Sequence, residues 1–262
     1  MAEEARRRGV RVVALGIPGV TDPALEQVAG GVTWFKLGQI DAPIKALKDQ
    51  GVKKVVMAGK VQHVSVFGGV MPDWRAAKVL MGLKDKRTDT ILRAVADEFQ
   101  KDGLEFVSSA LYLEHLLAPN GALTKKKFSA GQAKDAALGW KAAKAVAGFD
   151  IGQTVVAQDG AIVAVEGMEG TDACVARASE LAKTQGREPA LTVVKVAKPR
   201  QDFRFDLPVV GLDTLVNFKK AGVKALAFEA GATLIFDRDR FAAEADAAGI
   251  AVAGFPPEGP SL

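Results

Sequence analysis

The chain has 262 residues, 48% of them hydrophobic and 25% charged, with a formal net charge of +4; this suits one large domain or two ordinary ones and is too apolar for a disordered chain. One cysteine, Cys174, and two histidines, His63 and His115, exclude a disulfide framework, a three-histidine zinc site and a CxxC pair. No apolar run reaches the roughly 18 residues of a membrane span, the first residues lack a secretory signal, and a pI near 9.1 with few aromatics suits anionic ligands or an anionic membrane surface rather than nucleic acid.

In chain order, RVVALGI (11–17) reads as a buried strand ended by Pro18 and Gly19, and APIKALKDQG (42–51) as a helix with a glycine stop. KKVVMAG (53–59) is a second strand, DTILRAVADEFQKDG (89–103) an amphipathic helix with Ile91, Leu92, Val95 and Phe99 on one face, and LEFVSS (104–109) a third strand. This alternation predicts a Rossmann-like parallel α/β layer over 1–117. Pro, Gly and a lysine run at 118–130 predict a linker, with an exposed loop inside one domain as the other reading. The remainder, 131–262, opens with a helix and continues with a hairpin at 152–167 turning on Asp159-Gly160, a helix at 171–186, a strand at 190–198, a helix at 210–223, strand–turn–strand at 225–239, and a closing helix and strand. The expected fold class is therefore α/β with two domains, the second built on a mixed sheet.

Several groups of residues carry chemistry. Glu166, Glu169 and Asp172 lie within seven residues at the start of a helix, with Thr171 among them. Free helix amides there can hold a phosphate and the carboxylates a hard cation, magnesium or manganese; a plain helix cap explains the same pattern. In KVAKPRQDFRFDLPVVG (195–211), an extended segment puts Lys198, Arg200, Asp202, Arg204 and Asp206 on one face. That set matches a pyrophosphate and a metal or water, and equally a solvated edge strand. Glu229 interrupts an apolar strand and needs a metal or a cationic partner such as Arg204 or Arg238. Asp150 and Gln153 offer groups to a hydroxylated ligand or form a turn. Gly59 and Lys60 leave the end of a parallel strand, where open α/β sheets bind phosphates. Cys174 follows a helix start, which favours a thiolate, but reads as a buried packing residue; His63 reads as a loop residue and His115 as a helix residue.

The motif order DIGQTVV, AVEGMEGTDA, VVKVAKPRQDFRFDLPVVG and AGVKALAFEAGATLIFDRD, with LAPNGALT and DTILRAVADEF, resembles the bacterial UDP-2,3-diacylglucosamine pyrophosphatase family of lipid A biosynthesis, in its calcineurin-unrelated form. The resemblance implies metal-dependent hydrolysis of UDP-2,3-diacylglucosamine to UMP and 2,3-diacylglucosamine 1-phosphate (lipid X), with attack at the β-phosphorus. It implies Mg2+, with Mn2+ as a substitute, a homodimer, and a cytoplasmic enzyme held peripherally at the inner membrane. On this reading Asp206, Arg204 and Lys198 are catalytic. Glu166, Glu169, Asp172, Asp206 and Glu229 serve the metal, and Gly59, Lys60, Asp150, Gln153 and Thr171 bind the nucleotide-sugar. A metal-dependent nucleotide-sugar transferase and a non-catalytic nucleotide-lipid carrier are the rival readings. The family pattern opens with a strand and a Gly-rich turn ahead of the helix that here reads EEARRRG, so about 20 further residues are expected upstream.

Overall fold

The computed structural model describes residues 1–59, 71–85, 88–199, 201–205 and 207–260. The chain divides into two compact units, Met1–Leu113 with Asp202–Asp206 and Glu114–Gln201 with Leu207–Leu262.

In the first unit β1 (Ala14–Gly16) pairs in parallel with β2 (Val32–Trp34), and β3 (Lys54–Val56) with β4 (Glu105–Val107). Helices α1 (Ala2–Arg7), α2 (Leu25–Ala29), α3 (Asp41–Asp49), α4 (Trp74–Met81) and α5 (Thr88–Lys101) complete it. Ile44 and Leu47 of α3 bury against Ala96 and Phe99 of α5 and against Leu104 and Phe106. These are the apolar positions three and four apart that an amphipathic helix turns inward. Val32–Trp34 is short and half-buried, with no alternating run to announce it; β2 was not expected.

The second unit is a three-layer sandwich around a six-stranded sheet of order β5-β12-β10-β8-β6-β7. Its strands are β5 (Gly121–Ala122), β6 (Thr154–Gln158), β7 (Ala161–Val165), β8 (Leu191–Lys195), β10 (Val223–Glu229) and β12 (Ala251–Phe255). β8, β10 and β12 run parallel, whereas β6 is antiparallel to both β8 and β7, so the sheet is mixed as expected. The 118–130 segment read as a linker supplies β5, antiparallel to β12 with Gly121 opposite Gly254. A Cβ on Gly254 would overlap the Pro119 carbonyl oxygen, so this arm lies directly on the last strand. The strand–turn–strand expected at 225–239 is present as β10 and β11 (Leu234–Ile235), but β11 leaves the main sheet and pairs in parallel with β9 (Val209–Val210).

Helix α6 (Ala130–Gly148) covers one face, packing Ala136, Trp140 and Ala143 on Val155, Val194 and Ala227. On the other face α7 (Thr171–Thr184), α8 (Leu212–Lys220) and α9 (Arg238–Ala247) pack on Val156, Val193, Leu226 and Phe228. α6 begins with a capping box of Ser129 and Gln132. Its Asp135 accepts hydrogen bonds from Asp159 N and Gly160 N at 3.2 and 2.7 Å, pinning the β6–β7 turn. Asp159 and Gly160 both have positive φ, 53° and 78°, as a two-residue hairpin turn with the sheet's twist requires.

The charged segment after β8 is not the extended face that period-two spacing predicted. β8 stops at Lys195, Gln201 N bonds Lys198 O, and Phe205 N bonds Asp202 O, so two turns replace the strand. Asp202 also accepts from Arg204 N at 3.2 Å, the local side-chain bond that lets Asp compete with strand pairing.

Candidate functional site: the polar edge of the mixed sheet

The carboxyl ends of β7, β8, β10 and β12 and the start of β6 share one edge of the second unit. Open α/β sheets expose helix N-termini and loops at such an edge, which is where they bind ligands. The pleat divides the edge in two, because alternate residues of a strand point to opposite faces. Lys195 follows the parity of Val193 and turns toward α7; Glu229 follows Ala227 and turns toward α6.

On the α7 side, Thr171 Oγ1 is the hub. It accepts from Lys195 Nζ at 2.8 Å, donates to Glu166 Oε1 at 2.9 Å and lies 3.2 Å from Thr154 Oγ1. Glu166 Oε2 accepts from Gln153 N at 3.1 Å. Glu166, Lys195 and Thr154 are all buried, a costly arrangement unless every polar atom has a partner. Gln153 Oε1 is buried with no hydrogen-bond donor among the described residues, leaving an acceptor for a ligand hydroxyl or N–H. α7 starts at Gly170, φ 84°, with no side chain capping its first amides. Those amides carry the positive end of the helix dipole, a fit for an anionic oxygen.

On the α6 side, Glu229 Oε2 accepts from Lys144 Nζ at 2.6 Å and from Ala197 N at 2.8 Å. Close by in the chain, Lys198 Nζ pairs with Asp150 Oδ1 at 2.5 Å. Asp150 sits in the left-handed region, φ 60°, uncommon for a residue with a side chain.

Of the residues picked out from the sequence, the structure brings Thr171, Glu166 and Gln153 together, and Lys198 with Asp150. Glu169 is tied elsewhere: its Oε1 is 2.6 Å from Arg177 and its Oε2 accepts from Gly167 N, and the Arg177 guanidinium holds its carboxyl below the usual range. Asp172 accepts from Asn217 at 3.0 Å. Arg204 is bidentate to Asp202 at 2.9 and 2.8 Å in the first unit, which keeps the Asp202 carboxyl below its ordinary value. Glu229 has Lys144 as its cation, not Arg204 or Arg238. Among the described residues no three His, Cys, Asp or Glu side chains are placed to hold a metal ion. Gly59 leaves β3 with φ 102° and open space where a Cβ would stand. Lys60, His63, Arg200 and Asp206 lie outside the described residues. Cys174 is fully buried, and that burial pushes its thiol up to about 11, so packing outweighs the helix start. His115 sits in a short 3-10 turn, Glu114–Leu116.

Sequence reasoning passed over Lys144 and Thr154, and counted Lys195 among the cations of the 195–211 segment without giving it a role at the site. Period-two parity in VVKVAK would have placed Lys195 opposite its neighbour Val194. Nothing local marks Lys144, whose partner is 85 residues away.

Two compact units, the second built on a mixed sheet with buried charged side chains at the carboxyl ends of its strands, define a two-domain α/β protein. Family models described as the LpxI N-terminal domain and the LpxI C-terminal domain match residues 1–116 and 119–253. A Caulobacter vibrioides protein named UDP-2,3-diacylglucosamine pyrophosphatase LpxI is 33% identical over 264 residues, covering 98% of this chain and 93% of its own. The chain belongs to the LpxI family.

Proposed function

We propose that this chain hydrolyses the pyrophosphate bond of UDP-2,3-diacylglucosamine, releasing UMP and 2,3-diacylglucosamine 1-phosphate in lipid A biosynthesis. The observation that carries this is the 33% identity to the Caulobacter pyrophosphatase over 98% of the chain. The polar edge supports it: the uncapped amides of α7, Lys195 and Thr171 suit phosphate oxygens, and Gln153 Oε1 suits a ligand hydroxyl. In the step itself a water oxygen bonds to the β-phosphorus, the bond from that phosphorus to the bridging oxygen breaks, and UMP leaves with the bridging oxygen. Asp206 binds the metal or orients the attacking water in this reading, and Lys198 steadies the phosphates once substrate competes for it with Asp150.

Magnesium dependence belongs to the same proposal. The described carboxylates do not gather into a cage. Mg2+ keeps several waters and binds substrate phosphates with one or two carboxylates, so when bound it would neutralise charge on the pyrophosphate while needing few protein ligands.

Membrane contact is proposed at this edge too. Phe149, Ile151 and Met168 are 81%, 56% and 92% exposed. Their loops abut, since a Cβ on Gly152 would overlap the Glu166 carbonyl oxygen. Large apolar side chains beside a lipid-processing site suit shallow insertion at the cytoplasmic face of the inner membrane. No helix among the described residues is long and apolar enough to cross it.

The test incubates the protein with UDP-2,3-diacylglucosamine in ¹⁸O-water, with magnesium or with EDTA. Magnesium-dependent UMP release with label in the sugar 1-phosphate is expected. Label in UMP reverses the leaving group, release that needs an added acceptor makes the chain a transferase, and binding without turnover makes it a carrier.

A further inference from the structure

We propose that Lys144 and Glu229 are a positioning pair that clamps the backbone at the exit of β8 and thereby sets the place of Lys198; the inference rests on the pyrophosphatase reading above. β8 ends at Lys195, yet Val196 and Ala197 remain buried, so their peptide groups need partners other than the strand ladder. Val196 N finds Gln153 O at 3.0 Å. Ala197 is held at both ends by the pair. Its N–H donates to Glu229 Oε2 at 2.8 Å, and its carbonyl accepts from Lys144 Nζ at 3.3 Å, while Lys144 and Glu229 are joined at 2.6 Å.

The three bonds form a closed ring of one carboxylate, one ammonium and one residue, Ala197, gripped through the peptide groups on both of its sides. Each member fixes the other two. The next residue is Lys198, whose ammonium reaches Asp150 at 2.5 Å. A shift of the Ala197 peptide therefore moves the Cα from which Lys198 projects. The pair sits at the end of β10, a central strand whose neighbours β8 and β12 hold it on both sides. That rigid mounting suits a positioning role better than a loop would.

Filling a core does not require such a pair, because well-packed apolar residues of similar volume usually replace a buried ion pair without loss of stability. What apolar residues cannot do is hold the Ala197 peptide. In this view Glu229 Oε2 serves the clamp, shared between an ammonium and an amide.

The experiment compares Lys144→Met, Lys144→Arg, Glu229→Gln and the double variant Lys144→Met with Glu229→Leu. Thermal midpoints, kcat and KM for UMP release, magnesium dependence, and hydrogen exchange of the Ala197 and Lys198 amides are measured. Lys144→Met and Glu229→Gln should each lower kcat at least about ten-fold while KM changes less than about three-fold. Lys144→Arg should restore most of the rate. The double variant should stay folded with a lowered thermal midpoint, because the Ala197 N–H and C=O lose their partners; it should lose kcat without a matching change in KM, and its exchange at 197–198 should rise at least about ten-fold.

A folded double variant with wild-type kcat, or with unchanged exchange at those amides, overturns the proposal. So does a raised magnesium requirement in Glu229→Gln that Lys144→Met does not share, because that makes Glu229 a metal ligand. If the wild-type chain does not turn over the lipid substrate, the functional reading fails, while the exchange measurement still decides the clamp.

Discussion

Thr171 bonds at once to a buried lysine and a buried glutamate, so one methyl-for-hydroxyl exchange tests the whole α7 half of the edge. Thr171→Val keeps the shape and leaves both charges short of a partner. It should lower kcat by about 10–100-fold, ~1.4–2.8 kcal/mol, and cost about 1–3 kcal/mol of stability; Thr171→Ser should restore both, as read by UMP release and urea melts. Glu169 makes the contrasting case. Its partner is the half-exposed Arg177, an ion pair worth at most about 1 kcal/mol. Glu169→Gln should leave the half-saturating magnesium concentration unchanged, and a rise beyond about three-fold would return Glu169 to the cation site. Cys174, its thiol pushed by burial to about 11, should resist iodoacetamide in the native protein at pH 8 and react fully once unfolded. Rapid native labelling would mean that α7 opens locally.

At the scale of the element, Asp73 closes two helices with one carboxylate. It caps α4 through Ala76 N at 2.8 Å and takes Ile40 N and Asp41 N, at 2.6 and 2.9 Å, from the start of α3. Burial acts to raise its pKa, but the backbone N–H groups of Ala76, Asp41 and Ile40, together with Arg75, outweigh it, and the net direction is down. A carboxyl whose folded pKa lies below its unfolded value adds stability that is complete above the unfolded value, about 3.9, and is lost as pH falls through the folded value. Asp73→Asn keeps one accepting oxygen but puts an amide NH2 where Oδ2 accepts from Ile40 N and Asp41 N, so it should destabilise the first unit by about 1–3 kcal/mol near pH 7. The gap to wild type should narrow below about pH 4 in urea melts; a gap independent of pH would remove the charge from the explanation. Elements like these were largely readable in advance. Glycine stops and apolar periods located α3, α5 and α7, and Asp159-Gly160 located a hairpin. The short strands β2 and β5 were not readable, because two or three residues carry no period and owe their state to a partner far along the chain. The site was half readable for the same reason: Thr171, Glu166 and Gln153 announce themselves by local sequence, whereas the Lys144–Glu229 contact depends on strand parity and helix placement that no spacing encodes.

At the scale of the whole molecule, lipid contact is open to measurement. Replacing Phe149, Ile151 and Met168 together with serine removes three exposed apolar side chains. Sedimentation with anionic vesicles should then fall at least about ten-fold, given the free energy of burying such side chains. The melting temperature should stay within about 2 °C, because exposed side chains add little to folding. Equal sedimentation of variant and wild type would place membrane contact elsewhere. A different consequence follows from the turn at 202–205, which belongs to the first unit although the chain reaches it from the second. Ser109 N bonds Phe203 O at 2.7 Å, Ser109 Oγ bonds Arg204 O at 3.0 Å, and the Phe205 ring packs at a tilt on Phe106 with centroids 6.0 Å apart. β5, near the start of the second unit, waits likewise for β12, its last strand. A ribosome makes the chain from one end, and most domains fold as they emerge. Here the earlier unit lacks its final turn until much of the later one has been synthesised, and the later one lacks an inner strand almost to the end. Production of the protein thus passes through a long interval in which both halves are unfinished together, and a gene fragment cut at the family boundary near residue 116 yields a first half that stays unfinished.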